Sequence, residues 1–185
     1  MADSVQSWEL RVKRSRTERR GTKVRTIGSY QVCHNGEPVE GLSGFVCESR
    51  GPGDNKTASN GKRIEAGKSY PLYTHGSKGT RYSTLTYSKD GDPTKQKPGI
   101  GVRGTGKRSA ILIHPGHPPT LFLSSVGCLN PTRRLAGADS DMNFDDSRAR
   151  TIALIDDLKT YLGNRFPGAS GKRIPDATLV ITGEP

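Results

Sequence analysis

The sequence predicts a mostly β domain, a sandwich or an open barrel, with one main α-helix packed on it late in the chain. Three observations support this fold class. Apolar residues alternate with polar ones in many short segments, and turn residues separate these segments at close spacing, with 23 Gly and 12 Pro in 185 residues. Helical spacing of apolar residues occurs in one long segment only, between residues 145 and 162. The apolar content of 31% allows one domain with a modest core.

The chain begins with a short strand pattern that leads into a strongly basic segment. Trp8, Leu10 and Val12 alternate with polar residues. From Arg11 to Arg25, eight of fifteen residues are Lys or Arg, and none is aromatic. This segment could be an arm that grips phosphates, or a solvated basic edge or lead-in, which we favour because stacking aromatic residues are missing. We therefore assign residues 1–25 to a basic N-terminal lead-in and residues 26–185 to a single domain.

The next elements are strands and loops. Residues 26–47 read as a hairpin around the turn signal Asn35-Gly36. Residues 48–61 are rich in Gly, Asn, Asp and Ser, which predicts a loop. Residues 64–75 combine a turn with another strand, and residues 82–87 form a further strand-like piece.

The late helix has a start, an apolar stripe and a stop. Asp145, Asp146 and Ser147 can cap it, and Gly163-Asn164 ends it. The stripe consists of Ile152, Ile155, Leu158 and Leu162. Residues 177–182 then form a final strand.

Two segments partly match the sequence patterns of ligand-binding loops but lack residues that these loops require. In residues 101–108, Arg108 stands where a phosphate-binding loop needs Ser or Thr, and a strand follows instead of a helix. We interpret this segment as a flexible loop that brings Arg103, Lys107 and Arg108 near the strand leading to His114. In residues 139–150, Phe144 replaces the glycine of a calcium loop and Arg150 replaces its closing glutamate. We therefore expect neither a nucleotide nor a calcium ion at these two segments.

Charge and hydropathy limit the partners and the location. The formal net charge of +11 indicates an anionic partner, and nucleic acid, membrane headgroups and acidic cell-wall polymers all qualify. No stretch of 18 apolar residues exists, and the first residues are not followed by an apolar segment. We therefore expect no membrane span and no Sec signal peptide.

The three cysteines leave at least one thiol unpaired. Cys33 and Cys47 lie in neighbouring apolar segments and could either pair across a hairpin or remain two buried free thiols. In both cases, Cys128 is the candidate for the reactive thiol.

The stretch from Ala110 to Arg134 is the best candidate for a site. A strand-like run ends at His114, which a rigid strand would position as a base, with His117 in reserve. Cys128 follows Gly127, which leaves room for a substrate carbonyl, and N–H groups nearby could stabilise an oxyanion. Ser125 could hold the histidine or the loop. On this pattern alone, a structural buried thiol is the favoured interpretation.

The residues around Cys128 resemble a known active-site signature. Ser125-Val-Gly-Cys-Leu-Asn130, preceded by His114-Pro-Gly, resembles the active site of the L,D-transpeptidase family, including small relatives and toxins delivered by type VI secretion. Residues 64–72 resemble the strand that precedes such sites, so the resemblance covers roughly residues 26–135. Val126 replaces the family's second histidine, and the His-to-Cys interval is shorter. Asn130 fills the place of an arginine, which appears only at Arg133 and Arg134.

The resemblance implies that residues 26–185 form a catalytic domain with an L,D-transpeptidase-like fold, acting on peptidoglycan stem peptides. Cys128 would attack the carbonyl of an L,D bond, His114 would take the thiol proton, and the reaction would need no metal and no cofactor. Asn130 and Arg133 could bind stem carboxylates, with His117 and Arg103 as further substrate contacts. Hydrolysis would make the protein an L,D-carboxypeptidase, and transfer to an amine would make it a transpeptidase or an enzyme of D-amino acid exchange.

The resemblance also implies where the protein would act. Two other functional classes are compatible with the sequence. A toxin would act in the periplasm of a target cell and would be paired with an immunity protein, whereas a relative with another task would stay cytoplasmic. A non-enzymatic basic module, binding nucleic acid with a structural Cys128, is the competing class, although we consider nucleic acid the less favoured partner. A cysteine peptidase or amidase of another kind would share the nucleophile.

Overall fold

The computed structural model describes residues 6–185, which form ten strands, one α-helix and a short 3-10 helix at Gly163–Arg165. The strands are β1 (Trp8–Arg20), β2 (Lys23–His34), β3 (Glu37–Ser49), β4 (Lys68–Thr74), β5 (Tyr82–Ser83), β6 (Lys97–Pro98), β7 (Ile100–Val102), β8 (Leu112–Ile113), β9 (Asn130–Thr132) and β10 (Arg173–Thr182). The helix α1 spans Phe144–Leu162. The predicted mostly β fold with one late helix is confirmed.

Eight of the strands form one sheet that is nearly closed into a barrel. Their order is β8-β7-β4-β10-β1-β2-β3-β9, and β5 pairs with β6 separately. Adjacent strands of the large sheet are antiparallel, except β1 and β10, which are parallel. A parallel bridge between Ile113 of β8 and Leu129, just before β9, links the two ends of the sheet. The residues of the candidate site lie at this junction.

The basic N-terminal segment belongs to the centre of the sheet, which differs from the expected lead-in. Strand β1 pairs with β2 on one side and with β10 on the other. The buried side chains of β1 are apolar in its first half. In its second half, the buried side chains of Arg14 and Glu18 are charged. Arg14 pairs with Glu48 at 2.8 Å, and Glu18 pairs with Arg25 at 2.6 Å. Beyond the apolar half of β1, the buried side chains of the sheet therefore form ion pairs.

The hairpin from β2 to β3 has the predicted turn. Asn35 and Gly36 form the two-residue loop with φ of 51° and 88°, as a type I′ turn requires. Cys33 and Cys47 are buried free thiols, so the alternative of a disulfide between them is wrong. The strand expected over residues 82–87 is shorter and spans Tyr82–Ser83 only.

Helix α1 packs its apolar stripe against the inner face of the sheet. Leu154, Ile155, Leu158 and Leu162 are buried in one core with Trp8 and Leu10, whereas Ile152 is only half-buried. The cap is Asn143, whose side chain accepts a hydrogen bond from the Asp146 N–H at 2.9 Å. The expected caps Asp145, Asp146 and Ser147 thus lie inside the helix, which ends at Gly163 as predicted.

No helix among residues 6–185 is long and apolar enough to cross a membrane.

Candidate active site

Two short segments meet where the sheet closes and build the site. Leu112–His114 and Cys128–Asn130 run side by side in the same direction. The His114 N–H donates to the Leu129 carbonyl at 3.0 Å, and the Leu129 N–H donates to the Leu112 carbonyl at 2.9 Å. This pairing fixes the register of the predicted histidine segment against the predicted cysteine segment.

The register places His114 and Cys128 on the same face of these segments. Ile113 and Leu129 are fully buried in the main core. Because side chains alternate along extended chains, His114 and Cys128 project to the opposite side. The Cys128 thiol accepts a hydrogen bond from the Leu112 N–H at 3.3 Å, and Leu112 lies two residues before His114, about 7 Å along the strand. The Cys128 thiol donates to the Ala110 carbonyl at 3.5 Å, and no hydrogen bond joins it to His114 within residues 6–185. The expected meeting of the histidine and the thiol therefore stays a prediction.

Cys128 is a protonated thiol in the resting protein. Burial raises the pKa of the Cys128 thiol, and the Leu112 N–H and the charge of Arg108 lower it by less. The thiol is half-buried and opens into a cleft of about 320 Å³ that is also lined by Arg108, Val126 and Gly127. The sulfur is therefore accessible but needs a base before it can act as a nucleophile.

His114 is held as a neutral imidazole. Its side chain is buried, with the residue 3% exposed, and burial lowers the pKa of His114 to about 4. Nδ1 lies 2.9 Å from the Pro115 carbonyl oxygen and 3.3 Å from the Asn130 side-chain nitrogen. Because a carbonyl oxygen can only accept, the tautomer with the proton on Nδ1 satisfies the shorter of the two contacts. Nε2 then carries the lone pair, and it has no hydrogen-bond partner in the part of the chain that the structure describes. His114 thus has a free basic nitrogen.

Asn130 and Ser125 hold the two segments together. Asn130 is fully buried, and its amide group donates to the His114 carbonyl at 2.9 Å. The Ser125 hydroxyl donates to the Cys128 carbonyl at 2.9 Å and lies 3.3 Å from the Asn130 side-chain oxygen. Ser125 therefore ties the cysteine loop, one of the two roles considered for it. The burial of Asn130 leaves its amide committed to the protein, which does not favour the expected contact with a substrate carboxylate.

Position 127 requires a glycine because of its backbone conformation and because the Arg108 side chain lies next to it. Its φ of +149° is rarely adopted by residues with a side chain, and a Cβ there would lie 2.4 Å from Nη2 of Arg108. Arg108 donates to the Val126 carbonyl at 2.9 Å and to the Asp54 carbonyl at 3.2 Å. The backbone N–H groups of Gly127 and Cys128 make no hydrogen bond to any of residues 6–185. Both remain free to stabilise an oxyanion.

Tyr82 and His117 complete the surroundings of His114. The Tyr82 ring packs on the His114 ring with centroids 4.3 Å apart, and the His117 ring lies 6.2 Å from it. His117 Nδ1 is 3.1 Å from the Pro118 carbonyl and 3.5 Å from the Arg81 guanidinium. Burial raises the pKa of Tyr82 to about 12, so its phenol stays protonated at neutral pH. His117 is thus close to the site but does not contact Cys128.

The two arginines expected to bind substrate, Arg103 and Arg133, do not line the cleft at the Cys128 thiol. The Arg103 guanidinium lies over the Tyr73 ring, 5.8 Å from its centroid. Arg133 is five residues beyond Cys128, about 16 Å along an extended chain. Its backbone N–H donates to Asp146 at the start of α1.

The sequence does not reveal the contacts of two neighbours of the candidate site. Tyr82 carries no local signal, because its contact with His114 joins residues that are 32 apart in the chain. Arg108 was expected near the strand that leads to His114, but as part of a flexible loop. Its burial and its hydrogen bonds to two carbonyl oxygens become visible only in the structure.

The comparisons with known proteins add no assignment. Comparison of the chain with protein-family models, with curated proteins and with solved structures gave no match. Within residues 6–185, no group of three or more His, Cys, Asp and Glu side chains is arranged to hold a metal ion. Function must therefore be argued from the site itself.

Proposed function

We propose that the protein is a cysteine-dependent enzyme that modifies peptidoglycan stem peptides as an L,D-carboxypeptidase or L,D-transpeptidase. The observation that carries this proposal is the shared face of Cys128 and His114, with the thiol open to a cleft and His114 Nε2 unbonded. A nucleophile, a base and free N–H donors on adjoining segments are the parts that acyl transfer requires.

The chemistry follows from the resting protonation states. As the Cys128 sulfur attacks the carbonyl carbon, its proton passes to His114 Nε2 and a C–S bond forms. The carbonyl oxygen becomes an oxyanion, which the N–H groups of Gly127 and Cys128 stabilise. The C–N bond then breaks, the departing amine takes the proton from His114, and a thioester remains. Water hydrolyses the thioester in a carboxypeptidase, whereas an amine attacks it in a transpeptidase, and either reaction restores the thiol.

The positions of Asn130 and Tyr82 support a base function for His114. Asn130 fixes the histidine backbone, and the Tyr82 ring covers one side of the imidazole. The hydrogen bond to the Pro115 carbonyl fixes the tautomer, so that the lone pair is at Nε2. A base that is fixed in orientation loses less entropy in the transition state than a mobile one.

The substrate class comes from the resemblance of residues 114–130 to the L,D-transpeptidase signature. The net charge of +11 suits an anionic wall polymer. An antibacterial effector that acts in the periplasm of a target cell, with an immunity protein in its producer, is the biological setting that we propose.

The competing class, a basic nucleic-acid-binding module, has less support. Five of the eight cations between Arg11 and Arg25 pair with carboxylates, namely Arg11, Arg14, Arg16, Arg20 and Arg25. Cations that are already paired release few counterions from a nucleic acid. Salt-dependent DNA binding that persists in a Cys128→Ala protein, without any muropeptide turnover, would favour this class.

The proposed function is tested with defined muropeptides. Wild-type protein, Cys128→Ala and the control Cys33→Ala are incubated with tetrapeptide stems, and the products are identified by mass spectrometry. We expect loss or exchange of the terminal D-alanine, or a new cross-link, with wild type and Cys33→Ala and none with Cys128→Ala. Unchanged muropeptides with wild-type protein, or equal turnover by Cys128→Ala, would contradict the proposal.

A further inference from the structure

Four arginines are buried within residues 6–185, and one of them differs from the others. Each of the four is at most 6% exposed. Three of them pair with glutamates, namely Arg14 with Glu48 at 2.8 Å, Arg25 with Glu18 at 2.6 Å and Arg63 with Glu184 at 2.6 Å. The fourth, Arg108, makes no ion pair with any carboxylate within residues 6–185.

The surroundings of Arg108 hold its side chain without neutralising it. Its hydrogen bonds to the protein go to the carbonyl oxygens of Asp54 and Val126. A guanidinium has five N–H donors, so several remain for a ligand. A cation that is removed from water without an anionic partner is costly, and the protein supplies a glutamate to each of its other buried arginines. The missing anion at Arg108 therefore points to a ligand.

Arg108 shares its cleft with the nucleophile. Both Arg108 and Cys128 line the cleft of about 320 Å³, together with the hydroxyl-bearing residues Ser59 and Ser109. The positive charge of Arg108 lowers the pKa of the Cys128 thiol against the effect of burial. Gly127, which lies between them, leaves the space that the guanidinium occupies. A ligand anion at Arg108 would thus lie beside the carbonyl that Cys128 attacks.

We propose that Arg108 binds the terminal carboxylate of the residue that leaves. This inference rests on the proposed function and deepens it, because it makes the enzyme specific for the last peptide bond of a stem. The carboxylate of a single departing amino acid lies within one residue of the scissile carbonyl, as the shared cleft requires. A planar guanidinium suits a carboxylate and binds it through two parallel hydrogen bonds.

The test compares two substrates that differ in one charge. A tetrapeptide stem ending in D-alanine and the same peptide with a C-terminal carboxamide are assayed with wild-type protein, Arg108→Gln, Arg108→Lys and the control Arg173→Gln, which changes an exposed arginine outside the cleft. We expect wild type and Arg173→Gln to prefer the free acid about 10- to 100-fold in kcat/KM. Arg108→Gln should lose this preference, and Arg108→Lys should retain part of it. Equal kcat/KM for both peptides with wild-type protein would overturn the Arg108 assignment and leave the proposed function standing.

A binding experiment separates the two proposals. The rate at which iodoacetamide labels Cys128 is measured with N-acetyl-L-lysyl-D-alanine and with its C-terminal amide. Protection by the acid alone, lost in Arg108→Gln, supports the carboxylate site even if no muropeptide is turned over. Equal protection by acid and amide, or no protection by either, contradicts it. The wild-type comparison holds even if Arg108→Gln does not fold.

Discussion

Protonation of His114 should destabilise the folded protein by a predictable amount. The folded state holds the pKa of His114 at about 4, whereas an unfolded histidine titrates near 6.5. Between these values the unfolded chain binds the proton and the folded protein does not, so stability falls as pH falls from about 6.5 to about 4. A depression of this size corresponds to a loss of about 3 kcal/mol, complete below pH 4.

The assay is urea denaturation of wild-type protein and His114→Gln at several pH values between 4 and 7.5. Other groups also titrate in this range, and the difference between the two proteins removes their shared contribution. We expect the stability advantage of wild type over the variant to shrink by about 3 kcal/mol from pH 7.5 to pH 4. His117→Gln, which changes a more exposed histidine, should give a smaller change. A wild-type advantage that is independent of pH would refute the burial of a neutral His114.

Three further predictions concern the same site. Because proton transfer needs neutral His114, kcat/KM should stay level down to about pH 5 and fall near pH 4; a fall centred near 6.5 in a rate profile would contradict this. Gly127→Ala should displace Arg108 and lower kcat/KM at least about 10-fold, with strain of about 1–3 kcal/mol; unchanged kinetics and melting temperature would argue against the close contact. Asn130→Ala should cost about 1–3 kcal/mol in urea denaturation, because the buried His114 carbonyl loses its amide partner; a neutral substitution would show that this hydrogen bond contributes little.

Local signals predicted the fold well. The Asn35-Gly36 turn and the stop of α1 at Gly163 follow from the conformations that these residues favour, and both lie where expected. The cap was misplaced by only a few residues, because Asn143 and its acidic neighbours can all accept the same backbone hydrogen bonds.

Long-range pairing is what the sequence could not reveal. The segment around Arg14 looked like a solvated lead-in, because arginines are normally exposed. Its partner Glu48 is 34 residues away, and nothing in the local pattern connects the two. Strand β1 is therefore central to the sheet although its second half is strongly basic.

The same distinction applies to the site. His114 and Cys128 became candidates because His114 ends a strand pattern and Cys128 follows a glycine. Their roles as base and nucleophile stay predictions. The commitment of Asn130 to the His114 carbonyl, and the distance of Arg133 from the thiol, depend on register between segments. Arg108 became a candidate only through a comparison with the other buried arginines, which needs the whole structure.

The most direct test of the central claim is to search for the acyl-enzyme. Enzyme in excess over a tetrapeptide stem is quenched with acid within the first turnover, and the intact mass and the modified peptide are determined. We predict a transient adduct with the mass of the stem acyl group on Cys128, absent from Cys128→Ala. Release of D-alanine in the single turnover with Cys128 always unmodified, or an adduct on another residue, would contradict the account.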